Sequence, residues 1–170
     1  MKKIILTCLI ASSIIACSPT TNKTNSADYP ANAAGYNLDS STNVDLVKKM
    51  HKTFENMDSV NYRSCYSDSA IFHDNDTKQT LSENLANFNL YKTKGITIKI
   101  EKLDPIWEIV NKKASADGIT NYVESYVRLT FKRGDKQAKV IMNVVNSVKD
   151  GKIIEEWDTY DTKNMQEILK

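Results

Sequence analysis

At Gly95 the hydrophobic period of this chain changes from 3.6 to 2, and no other feature limits its fold as much. Before that point Val44, Val47, Met50, Phe54 and Met57 recur at helical spacing, with lysines and acids between them. Thr42 followed by Asp45 has the form of a capping box and places the helix start. A short helical or turn piece over 59–66 leads into a brief strand, Ala70-Ile71-Phe72. Thr80-Leu81-Ser82-Glu83 repeats the capping signal, with Leu81, Leu85 and Phe88 as the buried stripe. Gly95 is the natural stop for that helix.

After Gly95 the pattern is that of half-buried strands. Ile96, Ile98 and Ile100 alternate with polar residues until Pro105, so 106–110 is a bent continuation or a bulged edge. Val123, Val127, Leu129 and Phe131 then alternate with Tyr122, Glu124, Tyr126 and Arg128. Gly134-Asp135 and Asp150-Gly151 are hairpin turns on either side of 140–148, whose apolar run predicts a central strand. Helices first and antiparallel strands after predict an α+β domain with the helices on one face of a single sheet. The hairpin position explains Arg133-Gly134-Asp135, so adhesion is set aside.

The N-terminal segment has a different character. Lys2 and Lys3 precede an apolar run from Ile4 to Ile15, and Ala16 leads into Cys17. That order predicts a secretory signal over 1–16, with an apolar stretch too short to span a bilayer. Residues 18–42 are dominated by Ser, Thr, Asn and Ala with hardly any aliphatic side chains, so 17–42 is expected to be a flexible tether. A coil of this length reaches roughly 25–30 Å. The folded domain is then expected over 43–170.

Charge and cysteine content narrow the function classes. Loss of Lys2 and Lys3 with residues 1–16 leaves 21 basic against 21 acidic residues, and no basic cluster with interleaved aromatics is present, which argues against nucleic acid as a partner. Cys8 leaves with the signal and Cys17 stands before the tether, so Cys65 is alone and reads as a small buried hydrophobe. His51 has no Cys or Asp neighbour, which argues against a Cys–His mechanism. His73, Asp74 and Asp76 are too close in sequence to converge on one ion, so no metal site is expected, and no cofactor motif appears.

Two resemblances add to this reading. Ile14-Ile15-Ala16-Cys17 resembles the lipobox of bacterial lipoproteins, which implies cleavage before Cys17, lipidation of its thiol and anchoring in the cell envelope. Ser18, rather than Asp, resembles the outer-membrane sorting habit of some bacteria. The long helix, the run from Cys65 to Asp74, the capped helix and the closing strands resemble the nuclear transport factor 2-like fold, with its SnoaL-like cyclase and ketosteroid isomerase branches. The stretch Asp150-Gly151-Lys152-Ile153-Ile154-Glu155-Glu156-Trp157-Asp158-Thr159-Tyr160-Asp161 is very similar to that family's closing strand. This resemblance covers 43–161 and implies a cone-shaped, curved sheet packed against helices, with sheet-to-sheet homodimers common.

By the same resemblance Asp74 falls where the isomerases place a proton-abstracting carboxylate, and Asp158 where the cyclases place their acid–base aspartate. Asn143 is a candidate hydrogen-bond donor where the isomerases carry a protonated acid, the first helix offers His51 instead of a tyrosine, and Glu156 stands where a cyclase often has histidine. Strand alternation puts Ile154, Glu156, Asp158 and Tyr160 on one face and Ile153, Glu155, Trp157 and Thr159 on the other, with either face open as the inner one. Phe88, Tyr91, Trp107, Tyr122, Tyr126 and Trp157 are candidate pocket walls. Three function classes follow: a tethered module binding a small apolar or amphipathic ligand or a protein partner, which leads; an acid–base isomerase, cyclase or dehydratase using Asp158 or Asp74 with Asn143; and a structural or assembly lipoprotein.

Overall fold

The computed structural model describes residues 33–170. The expected signal segment, Cys17 and most of the tether lie outside the described residues. Strand β1 (Gly35–Leu38) precedes helices α1 (Thr42–Glu55) and α2 (Ser59–Ser64), strands β2 (Tyr66–Asp74) and β3 (Thr77–Thr80), and helix α3 (Leu81–Thr93). Four long strands follow, β4 (Thr97–Asn111), β5 (Asn121–Arg133), β6 (Lys136–Lys149) and β7 (Lys152–Tyr160), and helix α4 (Lys163–Leu169) closes the domain.

Local chemistry explains the helix starts. Ser41, one residue before the expected Thr42, caps α1 by accepting from the Val44 N–H at 3.0 Å, and Asp45 lies in the first turn. Thr80 caps α3 in a complete capping box with Glu83. Gly95 follows α3 with φ of 65°, the left-handed geometry that ends a helix. Val44, Val47, Met50 and His51 form the buried stripe of α1, and Phe88 anchors α3.

The seven strands form one sheet in the order β1-β4-β5-β6-β7-β2-β3. On β5 the residues Val123, Ser125, Val127, Leu129 and Phe131 face the helices and are buried. They pair in register with Asn146, Val144, Met142, Val140 and Ala138 of β6, so one continuous inner face runs across both strands. The architecture is the expected cone-shaped α+β arrangement, with its core between this inner face and the helices.

Four expectations are corrected. The expected tether does not run to residue 42, because Gly35–Leu38 pairs antiparallel with Glu108–Asn111. Main-chain bonding along the β4 edge holds this strand, which has few apolar side chains to bury. The sheet is mixed, since β2 pairs parallel with β7 while every other pair is antiparallel. Strand β2 is nine residues long, where a brief strand was expected. Helix α4, beyond the resemblance, buries Met165 and Ile168 against the sheet. Its terminal carbonyls are satisfied by Arg133, which donates to Ile168 O at 3.1 Å, and by the Lys94 ammonium, which donates to Leu169 O.

Pro105 sits at a register shift between Leu103 and Ile106, so β4 continues through a bulge. At a second shift the Ile100 N–H donates to Glu55 Oε1 at 2.8 Å, which ties the end of α1 to the sheet. Strand β6 lies between β5 and β7 as expected of a central strand, but its outer face is open to solvent, with Ile141 64% exposed.

Candidate active site

Alternation along β7 turns Glu156, Asp158 and Tyr160 toward the helices and leaves Trp157 on the outer face. This decides the face that the sequence left open. On the neighbouring parallel strand Asp74 lies directly opposite Asp158. Asn75, with φ of 49°, then starts the turn into β3. Its N–H donates to Asp158 O at 2.8 Å, and its side-chain oxygen accepts from the Tyr160 N–H at 3.1 Å. This clamp holds Asp74 and Asp158 one strand spacing apart, roughly 4.8 Å.

Both aspartates line a cavity of about 70 Å³ between the sheet and the helices. Helix α1 contributes His51 and Phe54, α2 Tyr62, α3 Asn84, Asn87, Phe88 and Tyr91, and α4 Met165. The floor is apolar, made by Val127, Leu129, Phe131, Met142 and Val144. No lysine or arginine is among the lining residues.

The electrostatics follow from this enclosure. Burial pushes the Glu156 carboxyl above its ordinary range, against the lowering effect of its Tyr66 and Asp158 hydrogen bonds. Burial, with Glu156 and Asp74 nearby, pushes Asp158 well above the ordinary aspartate range. Glu156 and Asp158 lie two residues apart on the inner face of β7, so a charge on either disfavours a charge on the other. Asp158 keeps some accessible surface where it faces the cavity, whereas Glu156 sits deeper.

Tyrosines stand beside two of the three acids, Glu156 and Asp74. Tyr66 Oη lies 2.7 Å from Glu156 Oε2 and 2.9 Å from Tyr62 Oη. Burial, and then the nearby Asp74 carboxylate, raise the Tyr160 hydroxyl. Tyr91 is pushed up to about 12, first by burial and then by Asp74. His51 Nε2 lies 2.9 Å from Ser125 Oγ, and burial lowers the imidazole to about 4, so it is neutral near pH 7.

Of the sequence candidates, Asp158, Asp74, Phe88 and Tyr91 come together here. Asn143 does not: it lies on the outer face of β6, where its Nδ2 donates to Glu124 Oε1 at 3.0 Å. Trp107, Tyr122 and Tyr126 also lie outside, because β5 and β4 give their inner positions to the aliphatic core. Trp107 packs near Tyr126, and Trp157 stacks on His73 with ring centroids 5.4 Å apart. His73 thus points away from Asp74, and its Nε2 lies 2.7 Å from Glu155 Oε1. Cys65 is a free, buried thiol, raised by burial.

Glu156, Tyr62, Tyr66, Tyr160 and His51 were not picked out as site residues. Alternation with Asp158 was a usable signal for Glu156 and Tyr160. Tyr66 falls in the run from Cys65 to Asp74 that carries the family resemblance, whereas nothing local in the sequence marks Tyr62.

No family model and no curated protein matches the chain. Solved structures do. An LEH-like epoxide hydrolase from M. tuberculosis superposes with a TM-score of 0.57 at 15% identity, over 75% of this chain and 89% of its own. Bal32a, from a soil-derived mobile gene cassette, gives 0.56 at 19% identity, over 76% and 97%. A proposed polyketide cyclase from Pseudomonas putida gives 0.55 at 14% identity, over 77% and 100%. The domain has the nuclear transport factor 2-like fold. At these identities the likeness concerns the fold, and the chemistry has to be argued from this cavity.

Proposed function

We propose that the domain is an acid–base enzyme acting on a small uncharged molecule, of the isomerase, cyclase, dehydratase or hydrolase type. The observation that carries this reading is the convergence of Asp74, Glu156 and Asp158 in one aromatic-walled cavity, with Tyr66 donating to Glu156 at 2.7 Å. A raised carboxyl that keeps its proton near neutrality serves as general acid, and a second carboxylate one strand away serves as base. Asp158, facing the cavity, delivers a proton to a substrate oxygen. Asp74, opposite Asp158 on the neighbouring strand, takes one from carbon or from water. With no lysine or arginine in the lining, an anionic substrate has no counter-charge there. The small volume favours a compact molecule, or one whose reactive end alone enters.

Small epoxides, enones and hydroxy ketones incubated with the protein in D2O test the reading by NMR. Turnover or deuterium incorporation is expected, lowered roughly 100-fold or more by Asp158→Asn and by Asp74→Asn. Turnover that survives both substitutions overturns it. A ligand bound without conversion restores the binding-module reading, which rests on the same cavity.

The proposal includes presentation. Lipidation at Cys17 would hold the domain at the cell envelope, in the outer membrane by the character of Ser18, and Cys17→Ser should release it from membranes. The homodimer implied by the resemblance would use the outer sheet face, where Tyr126 is 40% exposed beside Trp107. Sedimentation of wild type against Tyr126→Glu reads this directly, with a monomeric wild type removing the dimer.

A further inference from the structure

We propose that α3 carries a second ligand subsite, in which Asn84 and Asn87 bind an uncharged oxygen function of the substrate while its reacting end meets Asp74 and Asp158. The inference rests on the acid–base reading of this cavity. It adds the substrate class: a compact neutral molecule with two separated oxygen functions, such as a hydroxy ketone.

The two amides are free for this. Asn84, Asn87 and Tyr91 all line the cavity from α3. Spacings of three and four residues place them along one side of the helix, beside the anchoring Phe88. Both asparagines are half-buried, and neither side chain has a hydrogen-bond partner among the described residues. Asparagine in a helix can bond back to nearby main chain, and these two do not. It is also a poorer helix former than alanine or leucine, so each weakens α3 with no contact inside the fold to offset it. A local conflict of this kind, on a cavity wall, is where a ligand contact belongs.

Chemistry then limits what the subsite accepts. An amide offers two N–H donors and one carbonyl acceptor, so it serves a ketone or an alcohol oxygen equally. It carries no charge, and no lysine or arginine stands in the lining, so buried phosphate or carboxylate would lack a counter-charge. Beyond the acids, the tyrosines and His51, whose Nε2 lies 2.9 Å from Ser125 Oγ, the polar lining consists of these two amides. Tyr91 marks the acid end of the stripe, where Asp74 and then Asp158 add to the effect of burial on its hydroxyl. From Tyr91 the helix rises roughly 6 Å to Asn87 and roughly 10 Å to Asn84. That separation suits oxygens on opposite ends of a small ring and not on neighbouring atoms.

Cyclohexanone and 4-hydroxycyclohexanone, which differ by a single hydroxyl, are the probes, added to the full chain and followed by nitrogen-15 NMR. The hydroxy ketone should shift the side-chain NH2 signals of Asn84 and Asn87 and bind about tenfold more tightly than the ketone. The double variant Asn84→Leu with Asn87→Leu should lose this preference and still bind cyclohexanone as the wild type does. A role in shaping the cavity alone would move both probes together. Equal wild-type affinity for the two probes, amide signals unmoved by either, or a folded double variant that keeps the preference overturns the proposal. If the double variant does not fold, the wild-type amide signals decide. Amide shifts and preference without turnover or deuterium exchange count against the acid–base reading alone. Turnover of both probes with unmoved amides removes this inference and leaves that reading.

Discussion

Asn146 is fully buried on the inner face of β6, directly opposite Glu156 in register, and neither its amide oxygen nor its nitrogen has a partner among the described residues. A buried polar group left unpaired carries its full desolvation cost. Asn146→Leu, close in volume, should therefore raise stability by on the order of 1–2 kcal/mol, read as a higher urea midpoint with unchanged slope. Gly35 shows the opposite case. A Cβ at this position would lie 2.1 Å from Val110 O, a main-chain atom that the strand pairing holds in place. Gly35→Ala should detach β1, and hydrogen exchange should show the amides of 108–111 losing protection while the remaining strands keep theirs.

Among the elements, α3 shows how a sequence signal becomes structure. Its capping box, buried stripe and terminating glycine were all legible, because each acts within a few residues. Thr80→Ala removes the acceptor for the Glu83 N–H and should cost about 1 kcal/mol in denaturant unfolding. The alternation of β5 was legible for the same reason, since its inner positions are apolar except at Ser125. The inner face of β7 was not. Both of its faces mix acids with apolar side chains, and a parallel neighbour more than 80 residues away determines which one is inside. Strand β1 was hidden because four residues held by main-chain bonds leave no hydrophobic pattern. Asn143 was misplaced by one step of that same alternation, which carries a side chain from the cavity to the opposite surface.

For the whole molecule, burial of unlike titratable groups in one cavity gives opposing pH dependences. The His51 value is lowered in the fold to about 4 from an ordinary 6.5, so the stability it contributes is present above 6.5 and lost as pH falls toward 4. The Glu156 and Asp158 values are raised, so their contribution is present below the ordinary carboxylate range and lost as pH rises through their folded values. His51→Gln should therefore lose its stability difference from wild type as pH falls from 6.5 to 4, while Glu156→Gln should gain relative to wild type as pH rises above 4.5. Urea titrations at several pH values separate the two limbs, and parallel profiles for wild type and both variants would contradict the assignment.

The Asn75 clamp divides this cavity into parts with different freedom to change. Spacing between Asp74 and Asp158 depends on two adjacent strands and one turn residue, and no helix takes part in it. The walls from α3 and α4, by contrast, are single side chains on elements attached at their ends. Descendants of this gene can therefore exchange Asn84, Asn87 or Met165 and so alter which molecule fits, while inheriting the proton chemistry intact.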